Sequence, residues 1–548
     1  TDEIYTFDRS EAPWPSSTLE ADNLWKKRLK FELLQELLND KEIEEAKEKV
    51  SARYNRRSKN LDDVEDIHIQ EHFLTTLSQL YDPHSLFFSA ESLEDFSILM
   101  QLSLQGIGAV LSTEDGYCVI KELVPGGPAS LSRQLHPNDR IVTVQQEGEE
   151  PVDVVDMELR KVVKLIRGKK GTTVALTLIP YDAADESERK TVSLIRDSVQ
   201  LNASRSKANI YEVPNSKGEI STIGVIEIPS FYGSISEENA STPHRKSVSE
   251  DVEELILKLK EANVQGIIMD LRYNGGGLLS EAVELTGLFI RRGPVVQVRN
   301  STGQINVYPD INPKVAYDGP LMVLTSRFSA SASEIVAGAL QNYGRALIIG
   351  DSSTHGKGSV QEVIEMKKIT PRRLRQLKDL GATKLTIQKF YLPYGYSTQM
   401  KGVVSDIKIP SIVEYLPVGE SDLPNALAWD TIRPAPFAQN SIDPDLLKKL
   451  REANQSRQET LEEFSFLKER INWSRHKQDE VSISLNLKER QKQKEIDEAF
   501  REKMDKRQTE LAELNYPETE VQLDSVIETA DEGEKIETVD VDSSEEKE

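Results

Sequence analysis

A chain of 548 residues is too long for a single hydrophobic core and implies roughly three to five units. With 38% apolar and 29% charged residues it reads as a folded globular protein, and a net charge of -24 without any basic stripe excludes nucleic acid as a general partner, since such binding needs Lys and Arg to release counterions from phosphate. Its single cysteine, Cys118, rules out an internal disulfide framework, and the absence of any run of about 18 apolar residues rules out a membrane-spanning helix.

In chain order, the sequence opens at Thr1 without a basic-then-apolar leader, which fits an export signal already removed or a trimmed start. Residues 19–60 read as amphipathic helices, because Leu29, Phe31, Leu33, Leu34, Leu37 and Leu38 recur at helical spacing among Lys and Glu. A turn at Tyr81, Asp82, Pro83 and His84 leads to a second helical stretch ending near residue 103. From Gly106 the pattern becomes short β-branched runs broken by Gly and Pro, at 106–111, 117–120, 139–144 and 173–178, with one helix at about 157–166. That is a small β-rich module.

After Gly218 strand and helix alternate. Strands are predicted at 223–228, 266–271, 321–324 and 346–349, and helices at 249–262, 278–289 and 331–342, the pattern of an α/β core. Residues 442–514 are Leu-spaced helix rich in Lys and Glu. From Pro517 onward 13 acidic residues stand against two Lys, which predicts a disordered tail.

The chemistry concentrates in the α/β region. In Ser329-Ala-Ser-Ala-Ser-Glu, which follows a buried strand and opens a helix of small residues, Ser331 sits where unpaired N–H groups and the helix dipole stabilise a developing oxyanion. The bland reading is that Ser329, Ser331 and Ser333 only cap and pack the helix. Downstream, Lys357 lies between glycines just past another buried strand. A dry site there lowers its pKa, and neutrality near pH 7 needs a drop of roughly 3 units, or about 4 kcal/mol, from apolar or cationic surroundings. Gln361, four residues on, is a candidate to orient that amine, and a solvated loop lysine is the bland reading of Lys357. The glycines of Asn274-Gly-Gly-Gly-Leu end the strand at 266–271, so the N–H of Gly276 or Gly277 is a candidate oxyanion donor beside that of Ala332, with a plain strand-to-helix turn as the alternative.

Together these residues resemble the C-terminal processing peptidase family, and most closely its tail-specific protease branch. The matching strings are Gly106-Ile-Gly-Ala-Val-Leu, Val124-Pro-Gly-Gly-Pro-Ala, Ile166-Arg-Gly-Lys-Lys-Gly, Asp270-Leu-Arg-Tyr-Asn-Gly-Gly-Gly-Leu, Ser329-Ala-Ser-Ala-Ser-Glu, Gly356-Lys-Gly-Ser-Val-Gln and Thr386-Ile-Gln-Lys-Phe-Tyr. They occur in family order over about residues 12–440.

The resemblance implies a crotonase-like α/β protease core with an inserted β-rich PDZ domain, flanked by helical regions. The implied division is an N-terminal helical region at 1–98, PDZ at 99–200, protease core at 201–440, C-terminal helical region at 441–515 and acidic disordered tail at 516–548. It implies a Ser331–Lys357 dyad assisted by Gln361, an oxyanion hole from Ala332 and Gly276 or Gly277, and a carboxylate-binding loop at Gly106, Ile107, Gly108 and Ala109 that captures apolar C-terminal tails. It also implies envelope substrates, a periplasmic location and no metal or cofactor, with the terminal helical regions as candidate surfaces for an adaptor protein.

Two departures stand out. The loop Asp351-Ser-Ser-Thr-His-Gly-Lys is one residue longer than the family's Glu-Pro-Thr-Phe-Gly-Lys and puts His355 in the place of an aromatic, and Ser405 replaces a frequent Pro. His355 is an alternative base, with only Asp351 nearby as orienter. A phosphate-binding loop is rejected at 350–358, because five residues separate its glycines and Gly358 follows the lysine, and no His-Glu-x-x-His string supports a zinc protease. A PDZ scaffold that has lost protease activity is the non-enzymatic alternative.

Overall fold

The computed structural model describes residues 3–9, 12–39, 41–62, 64–183, 185, 187–215, 217–234, 247–371, 380–438, 440–512 and 516–527. The β-branched runs after Gly218 bury one another in a seven-stranded sheet of order Ile407–Lys408, Leu347–Gly350, Leu321–Thr325, Gly266–Asp270, Ile220–Glu227, Lys207–Pro214, Glu518–Val521. The first five run parallel. The last two are antiparallel.

Parallel neighbours need crossovers, and the helices Val248–Glu261, Leu279–Gly287 and Ala332–Asn342 supply them. The last of these is buried from Ala332 to Leu340, which its Ala/Gly composition allows by letting neighbours approach closely. This topology sets the loops after Gly266–Asp270, Leu321–Thr325 and Leu347–Gly350 side by side at the carboxyl ends of adjacent strands, where open α/β sheets bind ligands.

A second, antiparallel sheet was not expected. It runs Ile305–Asp310, Gly293–Asn300, Ala382–Tyr391, Ser359–Glu365, and Leu86–Phe88 pairs with Ala382–Tyr391. Its strands carry Lys, Gln, Asn and Thr at many positions, so their apolar period is weak in sequence. Leu86–Phe88 precedes the β-rich module while its partners follow it, so that module is inserted into the core.

The inserted module is a six-stranded sheet over Ala109–Glu114, Tyr117–Leu123, Arg140–Gln146, Val152–Asp153, Thr173–Ile179 and Lys190–Ile195. The helices Pro128–Ser132 and Leu159–Ile166 cover it, and Ile120, Ile141, Val144, Val162 and Leu176 form a separate core. Entering and leaving strands, Ser103–Gly106 and Asp197–Gln200, pair with each other. The Arg167 guanidinium also donates to Asp95 across 2.8 Å.

The terminal regions are helical as predicted, at Thr18–Leu37 and Ile43–Asp62, then at Pro444–Thr460, Glu462–Gln478 and Leu487–Ala512. Ile4–Thr6 pairs with Ser482–Ser484, joining the two ends of the chain. The acidic tail begins differently from expectation. Glu518–Val521 forms the edge strand of the main sheet, with Val521 packed on the core and Leu523 buried. Net charge misses this because the acidic side chains alternate with Thr519 and Val521 along the strand. Residues 528–548 of the expected disordered tail lie outside the described residues.

Candidate active site

The loop after Leu321–Thr325 turns sharply into its helix, and Ser331 at the N-cap takes φ +57° and ψ -112°. A non-glycine residue holds that backbone only where its surroundings enforce it. They do so from both sides. Ser329 donates its hydroxyl to Leu271 O at 2.7 Å, Ser333 donates to Asn274 O at 2.8 Å, and Ala330 N–H donates to Asn274 O at 3.1 Å. Ser329 and Ser333 are thereby buried and engaged, whereas Ser331 is part-exposed and faces a cavity of about 790 Å³.

That cavity is also lined by Gly276, Gly277, Ala332, Lys357, Gln361 and Lys384, and by the apolar side chains of Phe96, Leu99, Met100 and Val360. Gly276 passes so close that a Cβ there would lie 2.8 Å from Ser331 Cβ, and its φ of +106° suits glycine. The two glycine N–H groups differ. Gly276 donates to Asn274 Oδ1 at 2.8 Å, while Gly277 N–H and Ala332 N–H have no partner among the described residues.

One side chain joins the two loops. Glu334, three residues after Ser331, is fully buried and accepts from Ser331 N–H at 2.8 Å, Lys357 N–H at 2.9 Å, Gly356 N–H at 2.8 Å and the Thr354 hydroxyl at 2.6 Å. Burial pushes its carboxyl up, to about 8, against these four bonds, all of which favour the carboxylate. The extra residue of the 351–357 loop is thus absorbed without loosening the backbone at Lys357. Ser405, in the place of the family's Pro, helps by donating to Asp351 O at 2.6 Å.

The Lys357 ammonium makes no hydrogen bond or ion pair among the described residues. Burial lowers its pKa to about 8, with the positive charge of Lys384 adding to the effect. Lys384 is itself lowered by burial, and its ammonium lies 5.7 Å above Phe96 and 5.9 Å above Phe88. No hydrogen bond links the Ser331 hydroxyl to the Lys357 amine in this state. Gln361 is near but engaged elsewhere, donating to Ser359 Oγ at 2.9 Å and Thr386 Oγ1 at 3.0 Å.

His355 does not line the cavity. Its Nδ1 is buried 3.8 Å from Glu420 Oε2 without a hydrogen bond, and burial lowers its pKa. Asp351, the acid expected beside it, instead accepts from Arg327 N–H at 2.9 Å. Sequence reasoning named neither Glu334 nor Glu420 nor Lys384. Glu334 alone had a local signal, an acid three residues after an N-cap serine.

In the PDZ-like module Gly106 ends a strand, while the carbonyls of Ile107 and Gly108 accept from Ala129 N–H at 2.8 Å and Val124 N–H at 2.9 Å. The N–H groups of Ile107 and Gly108 have no partner among the described residues, and Ala109 starts the next strand.

Four family models match in succession: tail specific protease N-terminal domain at 1–91, PDZ domain at 96–179, peptidase family S41 at 222–409 and C-terminal domain of tail specific protease at 413–548. The tail-specific protease of Haemophilus influenzae is 38% identical over 498 residues, which cover 90% of this chain and 68% of that one. A carboxyl-terminal-processing protease of Picosynechococcus sp. is 28% identical, over 65% of this chain and 77% of that one. Among solved structures, the photosystem II D1 C-terminal processing protease is 22% identical, covering 72% of this chain and 95% of that one with a TM-score of 0.35. The PDZ domain of the Vibrio cholerae carboxy-terminal protease, solved with a peptide, is 49% identical, covering 18% of this chain and all of that one with a TM-score of 0.18. The chain belongs to the tail-specific proteases, serine-type peptidases of family S41 that carry a PDZ domain.

Proposed function

We propose that this endopeptidase captures the C-terminal tails of proteins on its PDZ domain and cuts them with a Ser331–Lys357 dyad. The observation that carries the reading is the pair of loops held by one carboxylate, Glu334, so that Ser331 and a lysine of lowered pKa face one cavity. The substrate's terminal carboxylate meets the unbonded N–H groups of the Gly106–Ala109 loop, and the tail adds as a strand.

Neutral Lys357 takes the proton of the Ser331 hydroxyl as Oγ attacks the peptide carbonyl carbon. The oxyanion is held by Ala332 N–H and Gly277 N–H, which have no partner among the described residues. The C–N bond then breaks as the Lys357 ammonium protonates the leaving amine, giving an acyl ester on Ser331. Water, deprotonated by Lys357, cleaves that ester and returns the proton to Oγ. The resting side chains are not hydrogen-bonded, so the dyad closes when substrate fills the cavity, as catalytic contacts commonly do. Gln361 stays held through its Nε2 by Ser359 and Thr386, and its Oε1, without a partner among the described residues, accepts from the Lys357 ammonium. Apolar-tailed envelope proteins are the proposed substrates and the periplasm the proposed compartment.

Hydrolysis of a loosely folded protein with an apolar C-terminus tests the reading. Ser331→Ala and Lys357→Ala are expected to lose activity by at least about a thousandfold while remaining folded. Full activity of either variant contradicts the dyad, and equal inactivity of wild type and Ser331→Ala favours a scaffold.

A further inference from the structure

The turn at residues 82–85 looks in sequence like a simple reversal between helices. In the structure it reaches both arms of the proposed site. His84 Nε2 lies 2.8 Å from Glu420 Oε2, and Glu420 Oε1 accepts from Gln399 Nε2 at 2.7 Å. Gln399 Oε1 in turn accepts Gly358 N–H at 2.8 Å, gripping the chain immediately after Lys357. On the other arm, Asp82 Oδ1 accepts the Thr386 hydroxyl at 2.7 Å, and Thr386 Oγ1 accepts Gln361 Nε2 at 3.0 Å.

These relays are buried: Glu420 is 1% exposed, Gln399 0% and Asp82 5%. Asp82 is itself fixed, accepting His84 N–H at 2.9 Å and Ser85 N–H at 3.1 Å. In buried surroundings hydrogen bonds to carboxylates are strong and directional, so each relay transmits the position of the turn to its far end. A turn that only stapled the N-terminal region to the core would need neither relay to end on the residues flanking the reacting groups.

We propose that the turn at 82–85 is a positioning element of the active site, fixing the Lys357 loop through His84 and Gln361 through Asp82. The inference rests on the Ser331–Lys357 reading. His84 and Thr386 touch neither substrate nor reacting atoms in this account, and act only through Glu420, Gln399 and Gln361.

The test uses the full chain with an apolar-tailed protein substrate and three variants, His84→Ala, His84→Gln and Thr386→Val. His84→Ala is expected to lower kcat about 10- to 100-fold, the scale of a misplaced catalytic group, with KM and the affinity for an apolar-tailed peptide unchanged. His84→Gln, whose amide can donate to the same carboxylate oxygen, is expected to recover most of kcat. Thr386→Val, nearly isosteric, is expected to lower kcat without shifting the thermal midpoint by more than a few degrees. Wild-type kcat in His84→Ala and Thr386→Val overturns the proposal. So does a kcat loss that the Gln variant fails to recover and that follows a falling thermal midpoint, the mark of a merely structural turn. If His84→Ala does not fold, His84→Gln and Thr386→Val decide. Ser331→Ala and Lys357→Ala run in parallel: their activity, if retained, overturns the underlying dyad, a result distinct from any pattern among the three variants.

Discussion

At the scale of single residues, the account turns on Glu334. Its four accepted hydrogen bonds leave no room for a shorter side chain, because each orphaned donor would stay buried. Glu334→Ala is therefore expected to cost roughly 2–4 kcal/mol of stability and most of kcat, measured by denaturant unfolding and by hydrolysis. Glu334→Gln keeps the volume but sets an NH2 against N–H donors, and is expected to fall between. Unchanged stability in both would mean that Glu334 does not join the loops. Gly276→Ala is a sharper steric probe. Its Cβ would meet Ser331 Cβ at 2.8 Å and Ala330 O at 2.9 Å, at φ +106°, so a loss of activity of about tenfold or more is expected, checked by kcat at saturating substrate.

The residues themselves show where sequence reading reaches and where it stops. That Ser331 opens a helix and Lys357 follows a buried strand was legible, because both patterns are local in sequence. Glu420 was not, because it meets His84, 336 residues away, and His355, in a more distant part of its own region, only through tertiary folding, which no spacing rule encodes. That the Gly276 N–H is already engaged was equally invisible, since its use by Asn274 depends on how the loop closes.

At the scale of elements, parallel strands and their crossover helices announced themselves as apolar runs and helical periods. The antiparallel sheet did not, because Ser359–Glu365 and Ala382–Tyr391 carry polar groups into the site on their partly buried positions. The edge strand Glu518–Val521 shows the same limit from the opposite side, with charge hiding an alternation that packs Val521 and buries Leu523. Leu523→Ala is expected to cost about 2–4 kcal/mol by denaturant unfolding, whereas a disordered segment there would give no change.

At the scale of the whole molecule, an inserted PDZ domain and a cavity on the core divide recognition from chemistry. In the proposed mechanism a tail is held on the PDZ domain and cut at the cavity, so the two contributions separate kinetically. Amidating the substrate's C-terminus removes the charge the Gly106–Ala109 loop would bind, and is expected to raise KM about tenfold or more with kcat little changed. Equal KM for amidated and free tails would contradict capture by the carboxylate.

The pH dependence of kcat/KM for an apolar-tailed substrate tests the central claim most directly. Because Lys357 must be neutral to accept the Ser331 proton and its pKa is lowered to about 8, the rate should be lost as pH falls below that value and rise through a step centred near it. That step should remain in His355→Ala. A step near the ordinary range of imidazole that disappears in His355→Ala would instead make the histidine the base and contradict the account.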